Sequence, residues 1–126
     1  MNIVLTQTPP PPRFDSYRPV NLTGKTMEEH RRKVLLKMEE ARLDALVLYA
    51  DREHGSNFAY LTGFEPRFEE AALVLHRKGE CFLLLGNENL KMAQHSRIQA
   101  LPLHVPHFSL PCQPMETEFT LPQLLG

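Results

Sequence analysis

Two rhythms of apolar and polar positions divide this chain into elements. Met27, Val34, Leu35, Met38 and Ala41 recur at helical spacing, while Arg31, Arg32, Lys37, Glu39 and Glu40 take the other faces. That pattern predicts an amphipathic helix. Its start is expected at Thr26-Met27-Glu28-Glu29, which has the form of a capping box. Three short apolar runs follow: Ala45–Tyr49, Ala71–Leu75 and Cys81–Leu85. They are short and do not alternate, which predicts strands buried on both faces of a helix-covered sheet. Arg77-Lys78-Gly79-Glu80 reads as the tight turn of a hairpin joining the second and third runs. Asn57–Thr62 reads as a short helix closed by Gly63, and a further helix is expected from Asn87 to about Ile98. Leu101–Val105 reads as a last strand, held to an edge by Pro102 and Pro106. The expected fold class is α/β: a mixed β-sheet flanked by helices.

Proline placement sets the boundaries. Of 11 prolines, five precede residue 20 and five follow residue 100, with Pro66 alone between. Residues 1–23 are therefore expected to form a flexible Pro-rich arm, with Pro9–Pro12 extended, and residues 24–126 a single domain. A chain of 126 residues can bury a substantial core. Its formal net charge of -1 comes from mixed signs, so there is no basic stripe for nucleic acid. No apolar run approaches a membrane span, and the N-terminus lacks the basic start of a signal peptide. A cytoplasmic protein is the expectation. The two cysteines, Cys81 and Cys112, make neither a disulfide framework nor a metal site.

Candidate chemistry concentrates in two polar stretches. Asp51-Arg52-Glu53-His54 leaves the end of the first strand, where α/β sheets present functional groups. Asp51 and His54 could act there as acid and base, or the loop is a polar surface that caps the next helix. In Glu65-Pro66-Arg67-Phe68-Glu69-Glu70, an arginine beside aromatics suits carboxylate recognition. The alternative is an internal ion pair of Arg67 with Glu65, Glu69 or Glu70. The six histidines are scattered, and no metal is assigned. Gly55-Ser56 makes no nucleophile elbow, and the isolated glycines make no phosphate loop. No catalytic residue is assigned.

The helix running into Leu43-Asp44-Ala45-Leu46-Val47-Leu48, and above all Asn57-Phe58-Ala59-Tyr60-Leu61-Thr62-Gly63-Phe64 before a buried strand, resemble the amino-terminal domain of the creatinase, Xaa-Pro aminopeptidase and prolidase family. The resemblance covers about residues 26 to 110. It implies a sheet of ribonuclease H-like motif and a separate carboxy-terminal metallopeptidase domain. That second domain carries two divalent metal ions on two Asp, one His and two Glu, none of which maps onto these residues. No cofactor is therefore expected in this chain, and no catalysis by it alone.

The resemblance further implies that the domain builds a homo-oligomer interface and restricts peptide or small amide substrates at a neighbouring subunit's active site. By position, Phe64, Arg67 and Phe68 match the family's substrate-restricting region, and Tyr60, Asp51 and His54 are further contact candidates. Some aminopeptidases place a Trp after the position of Phe58, where this chain has Ala59 and no Trp anywhere. A stand-alone binding module of the same fold, with no peptidase partner, is the alternative reading.

Overall fold

The computed structural model describes residues 3, 4, 6–10, 20–113 and 123. Part of the expected N-terminal arm, including Pro11 and Pro12, lies outside the described residues.

Helix α1 spans Gly24–Glu40. It begins earlier than the expected capping box, because Thr23 and not Thr26 is the N-cap. The Thr23 hydroxyl accepts from the Thr26 backbone N–H at 3.3 Å. Glu29, freed from capping, pairs with Lys33 one turn on at 3.0 Å. Met27 and Met38 are the buried residues of its inner face.

Four strands follow: β1 (Ala45–Ala50), β2 (Ala71–His76), β3 (Cys81–Leu85) and β4 (Leu101–His104). They form one mixed sheet in the order β1-β2-β3-β4. The β1–β2 and β2–β3 pairs are antiparallel, and β3–β4 is parallel. The parallel pair needs a crossover, which α3 (Asn87–Met92) supplies. Helix α2 (Ser56–Thr62) lies in the β1–β2 connection and ends at Gly63 with φ 79°, as its glycine predicted. The expected mixed sheet flanked by helices is the observed fold.

The registers put Leu46, Leu75 and Cys81 in one row, with Leu48, Leu73 and Leu83 in the next. That face packs on Phe58, Leu61, Phe64 and Met38 to make the main core. Phe58 is fully buried, a burial that contributes about 1.5–3 kcal/mol. The opposite face carries Ala72, Leu84 and Val105 in a smaller cluster, with Val74, Phe82, Leu103 and Phe108 packed around it.

Two expectations need correction. The first strand is not buried on both faces: β1 lies at a sheet edge, with Val47 57% and Tyr49 49% exposed. Burial depends on which strand is outermost, a non-local fact. The helix expected to run to Ile98 stops at Met92 and tightens into a 3-10 turn at Ala93–His95. The chain then turns so that the Arg97 backbone N–H donates to Thr62 O at 2.8 Å. Its N-cap is Gly86, not Asn87.

Candidate functional site

The stretch before β2 builds a cleft of about 340 Å³ lined by Glu65, Arg67, Phe68, Glu69, Glu88, Asn89, Lys91 and Met92. Its floor is anchored by Glu69, only 3% exposed. The Glu69 Oε2 accepts from the backbone N–H groups of Glu88 and Asn89, both at 2.8 Å. A helix this short leaves most of its first N–H groups unpaired, and a carboxylate placed there satisfies two of them and complements the helix dipole. Gly86 makes the approach possible: a Cβ there would lie 2.7 Å from Glu69 Oε2 and 2.9 Å from the Phe108 carbonyl carbon. The other oxygen, Glu69 Oε1, is buried without a hydrogen-bond partner among the described residues.

With Glu69 committed to α3, the ion pair offered as an alternative for Arg67 does not form among the described residues. Arg67 is exposed, and its guanidinium carbon lies 5.8 Å from the centre of the Phe68 ring. That contact holds a planar cation against an aromatic face. Phe68 itself is 61% exposed. The cleft thus carries two exposed cations, Arg67 and Lys91, and two exposed carboxylates, Glu65 and Glu88.

The remaining sequence candidates lie elsewhere. Phe64, expected at the surface, is only 8% exposed and packs edge-to-face on Phe58 with ring centres 5.3 Å apart. The Thr62 hydroxyl pins this corner, donating to Phe58 O at 2.8 Å and lying 3.1 Å from Phe64 O. Phe64 is therefore a core residue, and its role as a contact residue is corrected. Tyr60 belongs to the α1–α2 contact. It stacks on His30 with ring centres 3.8 Å apart, and His30 Nδ1 lies 2.7 Å from Tyr60 O.

Asp51 and His54 do come together. Asp51 Oδ1 accepts from the backbone N–H groups of Glu53 (2.8 Å) and His54 (2.7 Å), and His54 Nδ1 lies 3.0 Å from the same oxygen. The hydrogen bond to His54, helped by the backbone donors, holds the Asp51 carboxyl below its ordinary range. The same bond raises His54 above its ordinary 6.5. Both side chains close the turn ahead of α2, but the N-cap of that helix is Gly55 with no side-chain cap hydrogen bond, so Asp51 does not cap it as the structural alternative expected. The buried Gly55 links this loop to the cleft, since a Cβ there would lie 3.4 Å from Glu65 Cγ. Sequence reasoning missed Glu69 and the α3 contribution of Glu88 and Lys91, because a cap contributed from some twenty positions away leaves no local signature.

Among the described residues, no three of His, Cys, Asp and Glu converge to hold a metal ion. No described helix is long and apolar enough to cross a membrane.

The sequence model of the creatinase/prolidase N-terminal domain matches residues 30–110. The chain belongs to that family. Solved structures share the creatinase/prolidase N-terminal fold. One is an Xaa-Pro aminopeptidase from Streptococcus pyogenes (TM-score 0.54, 23% identity), matched over 65% of this chain and 58% of its own. Another is the creatinase/prolidase-like N-terminal domain of a candidate metallopeptidase from Corynebacterium diphtheriae (TM-score 0.51, 16% identity), matched over 64% and 59%. A third is a dipeptidase from Mycobacterium ulcerans (TM-score 0.53, 18% identity), matched over 68% of this chain but 24% of the enzyme. At these identities the likeness establishes the fold, and the match spans less than two thirds of each relative. Comparison with curated protein sequences returns no match.

Proposed function

We propose that this creatinase-type domain belongs to a longer, metal-dependent Xaa-Pro peptidase of the cytoplasm, performs no catalysis alone, and serves in subunit assembly and in restricting substrate access to a neighbouring active site. The observation that carries the reading is the cleft at Arg67 and Phe68, on a fold shared with peptidases. Arg67 offers a planar fork free to bind a carboxylate in bidentate fashion, and Phe68 offers an apolar wall beside it. With Lys91 on the same side of the charge balance and Glu65 and Glu88 on the other, the lining suits a short peptide with one anionic and one cationic end. The two divalent metal ions and their ligands would reside in the rest of the parent protein, where they would activate water for hydrolysis.

Within this scheme Arg67 and Phe68 bind and orient substrate and take no part in bond breaking. The test is steady-state hydrolysis of an Xaa-Pro dipeptide by the parent protein carrying Arg67→Ala or Phe68→Ala. A raised KM with kcat little changed is expected, the signature of lost uniform binding. Unchanged KM in both variants overturns the access role.

A further inference from the structure

The Glu69 carboxylate is only half used by the protein around it. Oε2 accepts from the backbone N–H groups of Glu88 and Asn89, both at 2.8 Å, while Oε1 is buried and has no partner among the described residues. A buried acceptor on a charged group is costly to leave unpaired, and native structures seldom hold one without a role for it. Glu69 is also one of the residues that line the cleft of about 340 Å³. The oxygen is shut off from bulk water, so a donor that meets it finds a carboxylate already stripped of hydration.

The cations of the cleft do not take up this oxygen. Arg67 lies against the Phe68 ring, and Lys91 is exposed. Oε1 stays unpaired although both line the same cleft. Three carboxylates, Glu65, Glu69 and Glu88, stand there against these two cations, so the lining carries a formal charge of -1. Phe68 and Met92 add exposed apolar walls.

We propose that the cleft binds a primary ammonium group carried on a short apolar body, with Glu69 Oε1 accepting one of its N–H bonds. The proposal rests on the reading of this cleft as a substrate-contact surface and assigns the atom that takes the cationic end. Other ligand chemistries fit less well. A guanidinium binds best when its fork meets both oxygens of a carboxylate, and Oε2 is already committed to α3. A metal ion needs several converging ligands, and among the described residues no three carboxylates, histidines or cysteines converge. An anion meets the wrong sign of charge. An ammonium is a compact charge with rotatable donors, and one N–H suffices for one free oxygen. The volume is at the low end for small-ligand sites, which suits a group of dipeptide size. Such an ammonium ends every unblocked peptide and every lysine side chain.

The test is an NMR titration of residues 1–126, followed at the backbone N–H resonances of Glu88 and Asn89, which share the Glu69 carboxylate. The probes are alanyl-leucinamide, its N-acetyl form and its N-trimethyl form. None carries a carboxylate, so Arg67 is not called upon. The free amine is expected to shift both resonances saturably. The acetyl form has no charge and the trimethyl form has charge but no N–H, and each should bind weaker by on the order of tenfold or more, the scale of one hydrogen bond between charged groups. N-acetyl-lysinamide, added in a separate arm, tells a side-chain ammonium from a chain terminus. Binding of either free amine over its blocked form supports the site, and the tighter one names the source.

Glu69→Gln keeps an oxygen for the two helix N–H groups and puts an amide N–H₂ in place of the free oxygen. It should abolish the preference for the free amine. Should that variant fail to fold, the probe series on the unaltered chain decides alone. Equal binding of the free, acetyl and trimethyl forms overturns the proposal. So does the absence of any shift at Glu88 and Asn89 with both free amines, the result expected if a buried water alone satisfies Oε1. If the series fails while Arg67→Ala still raises KM in the parent protein, this site falls and the access role stands. If the series holds while KM does not move, the ammonium site stands and the access role falls.

Discussion

Glu69 Oε2 sits 2.8 Å from the backbone nitrogen of Asn89 and the same distance from that of Glu88, so one carboxylate from the loop before β2 holds the start of α3. This bond is what ties the candidate cleft together, since Arg67 and Phe68 stand on one side of it and Lys91 on the other. Replacing Glu69 with alanine leaves two helix N–H groups without their acceptor. Hydrogen bonds to a charged group are worth about 1.5–3 kcal/mol, and a helix cap about 1 kcal/mol. A loss of about 2 kcal/mol is expected in urea unfolding, with the midpoint lowered and the slope unchanged. Gly86→Ala should act on the same contact, because its Cβ would press on Glu69 and on the backbone at Phe108.

Two glycines separate backbone strain from crowding. Gly63 and Gly79 both hold positive φ, 79° and 90°. A Cβ at Gly79 meets open space, whereas one at Gly63 would lie 2.8 Å from Arg97 Cδ. Gly79→Ala should cost about 1 kcal/mol, the backbone penalty alone. Gly63→Ala should cost more, and the excess should shrink in an Arg97→Ala background, which removes Cδ and Cγ, the two nearest crowding atoms, and keeps Cβ at 3.0 Å. Thermal melts of the four variants measure the coupling.

The Asp51–His54 contact gives the domain a small pH dependence. His54 is raised in the folded state by its bond to Asp51, so its stabilising contribution is fully present below 6.5 and is lost as pH rises through the raised value. Asp51 is lowered by the same bond, so its contribution is present above its ordinary 3.8 and is lost as pH falls through the lowered value. His54 is exposed and Asp51 half-buried at the surface, so the effect should weaken in high salt. In an NMR titration, Asp51→Asn should return His54 toward 6.5. A His54 titration that ignores the substitution would show that the contact does not persist in solution.

Much of this fold is legible in the chain because its signals are local. The runs at Ala45, Ala71 and Cys81 became β1, β2 and β3 within a residue of their expected bounds, and Gly63 closed α2 in the left-handed conformation its position demanded. The failures share a cause. Thr23 outcompeted Thr26 as a cap although both offer a hydroxyl, since Gly24 and Lys25 extend the helix by a turn that periodicity of the apolar stripe does not reach. The exposure of Val47 and Tyr49 depends on β1 being outermost, and the burial of Phe64 depends on its meeting Phe58. In the candidate site, Arg67 and Phe68 were readable as a motif. Their companions from α3 were not, because Glu69 reaches them across the sheet's end.

The Thr62 hydroxyl offers a further check on the corner that presents the cleft. It is buried and lies within hydrogen-bond distance of the carbonyls of Phe58 and Phe64. Thr62→Val keeps the shape and removes a buried hydrogen-bond donor, and should cost about 1–3 kcal/mol in chemical denaturation. A neutral Thr62→Val would mean that the Phe58–Phe64 stack holds this corner without help.

The claim that this domain assists a peptidase without being one is tested most directly by hydrolysis of an Xaa-Pro dipeptide with added Mn²⁺, comparing residues 1–126 with the longest reading frame that contains them. The account predicts hydrolysis by the longer protein and none by residues 1–126. Hydrolysis by these residues alone would contradict it and return attention to Asp51 and His54.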